Sequence, residues 1–195
     1  MHIGLFFGSF NPVHIGHLAL ANYMLSFTDM EQVWFVVSPH NPLKNKSSLL
    51  NQNDRLHLIN LALDFNPKIK TSNIEFGLPQ PSYTINTLAH LKEKFPEHQF
   101  SLIMGRDNLQ TFDKWKNYDE ILKKHHIYVY PRAGFMPSVF DDHKHVHLTE
   151  APVMEISSTF IRNSIKEKKN VEYFMHPAVW EYIRDMNLYK IIESR

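Results

Sequence analysis

The feature that most constrains this chain is its alternation of short apolar runs with longer amphipathic ones. HIGLFF (2–7) leads into helical spacing from about Ile15 to Phe27, with Leu18, Ala21 and Leu25 on one stripe. VWFVVS (33–38) predicts a buried strand, followed by the loop PHNPLKNKSS (39–48). Helical periodicity returns from Asp54 to Phe65, and then IKTSNIEF (69–76) reads as a strand and YTINTLAHLKEKF (83–95) as a helix. FSLIMG (100–105) and HIYVY (126–130) are further strands, with helical DEILKKH (119–125) between them. Beyond Arg132 a polar loop carries one edge-strand candidate, HVHL (145–148), before helices from Ser158 to about Lys168 and from Pro177 through Arg184. This order predicts an α/β protein: a doubly wound, mostly parallel sheet with helices on both faces and a small helical C-terminal extension. No linker is visible, so one domain over residues 1–195 is expected. In such sheets ligands lie beyond the carboxyl ends of the strands. GSFNPVHIGH (8–17), PHNPLK (39–44) and GRDN (105–108) all fall at that edge.

Composition narrows the chemistry. There is no cysteine, which excludes disulfides, thiol nucleophiles and iron–sulfur clusters. The 21 basic and 20 acidic side chains give no polyanion-binding signal, so no nucleic-acid partner is expected and specificity must come from a local site. No apolar run approaches the roughly 20 residues that span a bilayer. The start does not resemble a signal peptide, and a cytoplasmic protein without a membrane partner is the expectation.

Within GSFNPVHIGH, His14 and His17 stand three apart where a strand turns into a helix. They could be a metal pair, plain helix-start residues, or a clamp for an anion. A metal site needs at least a third ligand, and no acidic or thiol residue stands nearby at a recognisable spacing. Asn11-Pro12 is a turn signal in its own right and suits the plain reading. The glycines favour the anion. Gly8, at the strand end, and Gly16, in the first helical turn, let another molecule approach the backbone beside unpaired N–H groups. Imidazole donors from the same turn would complete a pocket for phosphate.

EISSTFIRNSI (155–165) supports this from the other end of the chain. Ser157, Ser158 and Thr159 are capping residues before an apolar-periodic run. No acid follows until Glu167, and Arg162 stands near the start instead, where a cation opposes the helix dipole by roughly 0.3–1 kcal/mol. An anion at that helix end would resolve the conflict.

Together His14-Ile15-Gly16-His17 and Ile156-Ser157-Ser158-Thr159-Phe160-Ile161-Arg162 resemble the nucleotidyltransferase superfamily marked by an H-x-G-H turn and a late I-S-S-T-x-x-R segment. Within it the chain is similar to the bacterial nicotinate-nucleotide adenylyltransferases. The likeness runs through GSFNPVHIGHLALA, SPHNPLK, the Arg55 helix, QPSYTINTL (80–88), LIMGRDN (102–108) with Trp115, YPRAG (130–134) and FMHPAVWEYI. The resemblance implies a Rossmann-like fold and transfer of the adenylyl group of ATP to nicotinic acid mononucleotide, in NAD biosynthesis. It implies His14, His17 and Arg162 as catalytic residues. It also implies Gly8, Ser9, Phe10, Lys44, Ile156, Ser157 and Ser158 around ATP. Tyr83, Thr84, Asp107 and Trp115 would surround the acceptor, although Trp115 reads equally well as an amphipathic cover residue. Magnesium is implied as an ion carried by the ATP phosphates, with no metal ligand from the protein. A homo-oligomer is left open.

Two departures from the family pattern stand out: Arg106 precedes Asp107 where a small residue is usual, and PHNPLK is longer than the usual form, which leaves open whether His40 or Lys44 contacts ATP. Rival readings are an adenylyltransferase for phosphopantetheine or nicotinamide mononucleotide, and a non-catalytic nucleotide sensor.

Overall fold

A computed structural model describes residues 1–39, 49–64 and 66–189. Its elements run β1 (His2–Gly8), α1 (Ile15–Phe27), β2 (Gln32–Val37), α2 (Gln52–Leu63), β3 (Ile69–Ser72), α3 (Thr84–Lys94), β4 (Gln99–Gly105), α4 (Arg106–Leu109), α5 (Tyr118–Lys124), β5 (Ile127–Tyr130), β6 (Val146–Leu148), α6 (Ser158–Lys166) and α7 (Pro177–Asp185). The six strands form one sheet in the order β3-β2-β1-β4-β5-β6, and every neighbouring pair is parallel. Phe6 of β1 stands between Phe35 of β2 and Ile103 of β4. The chain leaves β1 toward one edge and, from β4 onward, builds toward the other. The crevice where that order reverses lies beyond the ends of β1 and β4, and parallel sheets bind ligands there.

Both sheet faces are covered, as a parallel sheet requires. Alternation along the strands sends Phe6, Phe35, Ile103 and Tyr128 into a core shared with α1, α2, α6 and α7. Leu5, Leu102, Ile127 and Val129 enter the opposite core with α3 and α5. The C-terminal helical extension packs into the main core: Val179 and Ile183 of α7 are buried in the first cluster. Among the described residues, no helix is long and apolar enough to cross a membrane.

Three local differences from the sequence expectation have identifiable causes. Helix α2 begins two residues before Asp54 because Asn51 caps it, its Oδ1 accepting the Asn53 N–H at 2.9 Å. The strand expected over 69–76 stops at Ser72, and Ile74–Gly77 forms a 3₁₀ turn. That turn sends the Glu75 carboxylate inward, where it accepts from Ser82 Oγ at 3.0 Å and Thr87 Oγ1 at 2.8 Å. The single turn of α4 follows β4 directly and is too short to leave a periodic trace.

The strand ends are held by one buried cation. Arg55 of α2 has no exposed surface. Its guanidinium donates to the carbonyls of Ser9 (2.7 Å), Ser38 (2.8 Å), Pro39 (3.0 Å) and Leu50 (3.0 Å). It thus ties the turn after β1 to the turn after β2. Removing a donor from a buried acceptor costs about 1–3 kcal/mol. Arg55→Met, which keeps much of the volume and none of the donors, should lose about 3 kcal/mol or more in urea unfolding, with the slope unchanged.

Candidate active site

The turn after β1 is built from inside. Phe10 has a left-handed backbone (φ 45°), and its ring folds back under the strand end into the core, 5.0 Å from Phe35 and 5.0 Å from the His17 ring. A Cβ on Gly8 would lie 2.8 Å from that ring. The missing side chain at Gly8 is therefore used by Phe10, not reserved for a ligand. Phe10 itself is 2% exposed, so what it offers a nucleotide is backbone alone. Ser9 contributes a carbonyl already held by Arg55.

His14 is the N-cap of α1 and His17 its third residue. The His14 N–H donates to His17 Nδ1 at 3.3 Å. With Nδ1 an acceptor, neutral His17 carries its proton on Nε2. The two rings stack, centroids 3.7 Å apart and 26° from parallel. A Cβ on Gly16 would lie 3.1 Å from His14 Nδ1, so this glycine makes room for the imidazole. The helix-start reading describes part of this arrangement, since Nδ1 of His17 accepts the N-cap N–H and closes a capping box. Among the described residues, no three His, Cys, Asp or Glu side chains converge as a metal site.

The late signature segment lands on the same turn. Arg162 Nη1 donates to the Asn11 carbonyl at 2.8 Å, and Ser158 Oγ donates to the Pro12 carbonyl at 2.9 Å. Arg162 Nη2 also reaches back to Thr159 Oγ1 at 3.3 Å. The dipole conflict expected at this helix is thus eased first by a protein carbonyl. Ser157 Oγ accepts the Phe160 N–H at 3.1 Å, the cap the sequence predicts, and its own proton remains to donate. Ser158 has used its proton on Pro12, so an anion could meet its backbone N–H but not a donating hydroxyl. Ile156 is half-buried against the core and likewise offers backbone. Asn11 is also held from elsewhere: its Oδ1 accepts from Tyr189 OH at 2.8 Å and from the Leu50 N–H at 3.3 Å.

Beyond β4, Gly105 opens the way for Asp107. A Cβ at Gly105 would sit 2.3 Å from Asp107 Oδ1 and 3.1 Å from the Tyr130 ring. That carboxylate faces Arg132 Nε at 3.8 Å, while the Arg132 guanidinium lies over the Tyr130 ring at 5.4 Å. Asp107 Oδ1, Arg132 Nε and His14 Nδ1 are all buried without a hydrogen-bond partner. Buried polar atoms without hydrogen bonds are costly, and a ligand that bonded them would recover that cost. Arg106 does not add a free charge here: it pairs with Asp141 at 2.6 Å. On the far side, Tyr83 is the N-cap of α3, Thr84 opens that helix, and Trp115 packs half-buried against Phe112 at 5.4 Å. Glu75 fixes the approach to α3 through Ser82 and Thr87. His40 and Lys44 lie outside the described residues.

Sequence reasoning left Arg132 unassigned and did not single out Asn11, Glu75 or Tyr189 as site-building residues. Arg132 had a usable signal, since it follows β5 at the carboxyl edge. Asn11 and Tyr189 had none, being 178 residues apart.

Burial, and then the nearby Arg132 charge, hold His14 down to about 4. An unfolded histidine titrates near 6.5, so between those values the unfolded chain binds a proton that the folded chain refuses. Stability therefore falls with acidification across that window, by about 2 kcal/mol at pH 5 from this group. Urea unfolding of His14→Gln should show a correspondingly shallower decline between pH 7.5 and pH 5.

A model of the cytidylyltransferase-like family matches residues 5–164. A probable nicotinate-nucleotide adenylyltransferase of Flavobacterium psychrophilum is 57% identical over 97% of this chain and the whole of that protein. One from Bacteroides thetaiotaomicron is 50% identical over 93% of this chain and 90% of its own length. Among solved structures, the nicotinic acid mononucleotide adenylyltransferase of Plasmodium falciparum complexed with NaAD superposes with a TM-score of 0.81 at 18% identity, covering 96% of this chain and 97% of that one. At that identity it speaks to the fold, and the fold agrees. With both signature segments closed on one turn and near-full-length relatives on this scale, the chain belongs to the nicotinate-nucleotide adenylyltransferase family.

Proposed function

We propose that this protein, as one domain over residues 1–195, transfers the adenylyl group of ATP to nicotinic acid mononucleotide, giving deamido-NAD and pyrophosphate. The observation that carries the reading is the hydrogen bond from Arg162 to Asn11, which brings the late guanidinium to the turn that bears both imidazoles. A phosphate oxygen of the acceptor attacks the α-phosphorus of ATP, and the bond to the bridging oxygen of the leaving pyrophosphate breaks. That nucleophile is already ionised at neutral pH, so no general base is needed, and the site has to position groups and stabilise charge.

Each assigned residue has a part in this. His17, with its proton on Nε2, donates to the α-phosphoryl as charge builds there. Neutral His14 supports it through the ring stack and the capping bond. Arg162, the Ser157 hydroxyl and the N–H groups at the start of α6 take the β- and γ-phosphates, with Lys44 a further candidate from the loop after β2. Gly8, Ser9, Phe10 and Ile156 offer backbone to the nucleotide. Arg132 joins the set beside Asp107, which with Tyr83, Thr84 and Trp115 receives the acceptor. The start of α3 suits a ring carboxylate, and Trp115 suits stacking on the pyridine. Magnesium enters as part of the ATP substrate. The carboxylate in the site, Asp107, faces Arg132, which favours a phosphate-carried ion over one caged by the protein. A cytoplasmic setting, small-molecule substrates without nucleic acid, and an assembly state open to a homo-oligomer complete the reading.

Pyrophosphate release from ATP with nicotinic acid mononucleotide, nicotinamide mononucleotide and phosphopantetheine in turn tests it. The first acceptor should be used best, and ATP binding without turnover of any of the three would identify a sensor instead. His17→Ala should lower kcat by about 10²–10³, the usual loss of a transition-state donor, with the fold retained by circular dichroism. Arg162→Lys should weaken ATP binding and slow turnover together, because a point charge cannot reproduce a planar fork.

A further inference from the structure

The departure at Arg106 has no role so far. Helix α4 is a single turn with no side-chain cap, and four residues cannot hold a helix by themselves. Leu109, with no exposed surface, anchors one end of it in the core. The other end is held by Arg106, whose Nη2 donates to Asp141 Oδ2 at 2.6 Å. The two side chains are only 16% and 14% exposed, so the pair is shielded from the water and salt that weaken ion pairs at a surface.

Asp141 belongs to the stretch between β5 and β6, residues 131–145. The same Asp141 oxygen accepts the Ser138 N–H at 3.2 Å, and the Asp141 N–H donates to the Ser138 carbonyl at 3.1 Å. Ser138 Oγ donates to the Leu109 carbonyl at 3.4 Å, and Gln110 Nε2 to the Met136 carbonyl at 2.7 Å. Helix α4 and this stretch are thus stitched together, with the ion pair as the shortest of these links. Each carries one of two groups that face each other in the site. Asp107 follows Arg106 on α4, and Arg132 stands at the start of the stretch after β5. Their facing atoms are 3.8 Å apart with no hydrogen bond between them. No direct bond sets that spacing, so it follows from whatever joins the two segments. We propose that Arg106 is a positioning residue: its ion pair with Asp141 fixes Asp107 against Arg132 and so shapes the acceptor site without touching the acceptor. This rests on the reaction proposed above and deepens it.

The test follows pyrophosphate release against nicotinic acid mononucleotide and against ATP in the wild type, Arg106→Gln, Arg106→Lys, Asp141→Asn and the double variant Arg106→Gln/Asp141→Asn. A misplacement of about 1 Å can cost up to about 10²-fold, and a shift of a fraction of that should raise KM for the acceptor about tenfold in Arg106→Gln. KM for ATP and kcat should stay within about twofold. Asp141→Asn should move the same constant in the same direction, and the double variant should be no worse than Arg106→Gln alone, as for two members of one interaction. Arg106→Lys should keep most of the wild-type KM, because only one guanidinium nitrogen is used. A merely structural role would lower the folded fraction, and with it kcat, and leave KM for the acceptor where it was. That result overturns the inference, as do equal rises in both KM values or losses that multiply in the double variant. Wild-type protein that does not use the acceptor overturns the reaction reading itself, and shows this before any substitution is made.

Discussion

The site depends on the peptide of Asn11. Its carbonyl takes the Arg162 guanidinium, and its side-chain oxygen takes Tyr189 and the backbone of Leu50. Four distant parts of the chain meet there: the end of β1, the start of α2, helix α6 and the C-terminal segment. Arg55 does the same from below, gathering four carbonyls of the turns around it. A turn carrying a left-handed Phe10 is strained on its own and persists where its surroundings over-determine it. Here the surroundings are these two sets of hydrogen bonds.

That construction changes the meaning of residues whose types alone suggest ligand binding. Gly8 and Gly16 are small so that Phe10 and His14 can occupy the space, and Gly105 is small for the Asp107 carboxylate. Ser158 is a strut to Pro12. In each case the residue serves the site by positioning a neighbour. On the function proposed above, the groups assigned to charged phosphates are correspondingly few: imidazole and guanidinium donors, one serine hydroxyl, and backbone N–H groups at helix starts.

The architecture was legible because buried parallel strands leave continuous apolar runs and their covering helices leave periodic ones. VWFVVS and FSLIMG could hardly have been anything else. Boundaries failed where a side-chain hydrogen bond, rather than periodicity, decided them, as at Asn51 and Glu75. The two signature segments stood out by residue type, and the structure brings them onto one turn. Asn11, Glu75 and Tyr189 did not stand out, because what they do is a matter of partners far away in sequence. The pairing of Arg106 was not legible for a similar reason: its partner, Asp141, stands 35 residues on.

The span between Asn11 and its latest partners bears on how the protein is made. Closing a loop of about 150 residues carries an entropic penalty that local contacts never meet, and topologies rich in such closures fold slowly. During synthesis the first imidazoles emerge long before the arginine and tyrosine that complete their setting. A chain interrupted before α6 would hold an unsupported turn, with the strand core exposed where α6 and α7 belong. Completion of the core and closure of the Asn11 turn thus arrive together.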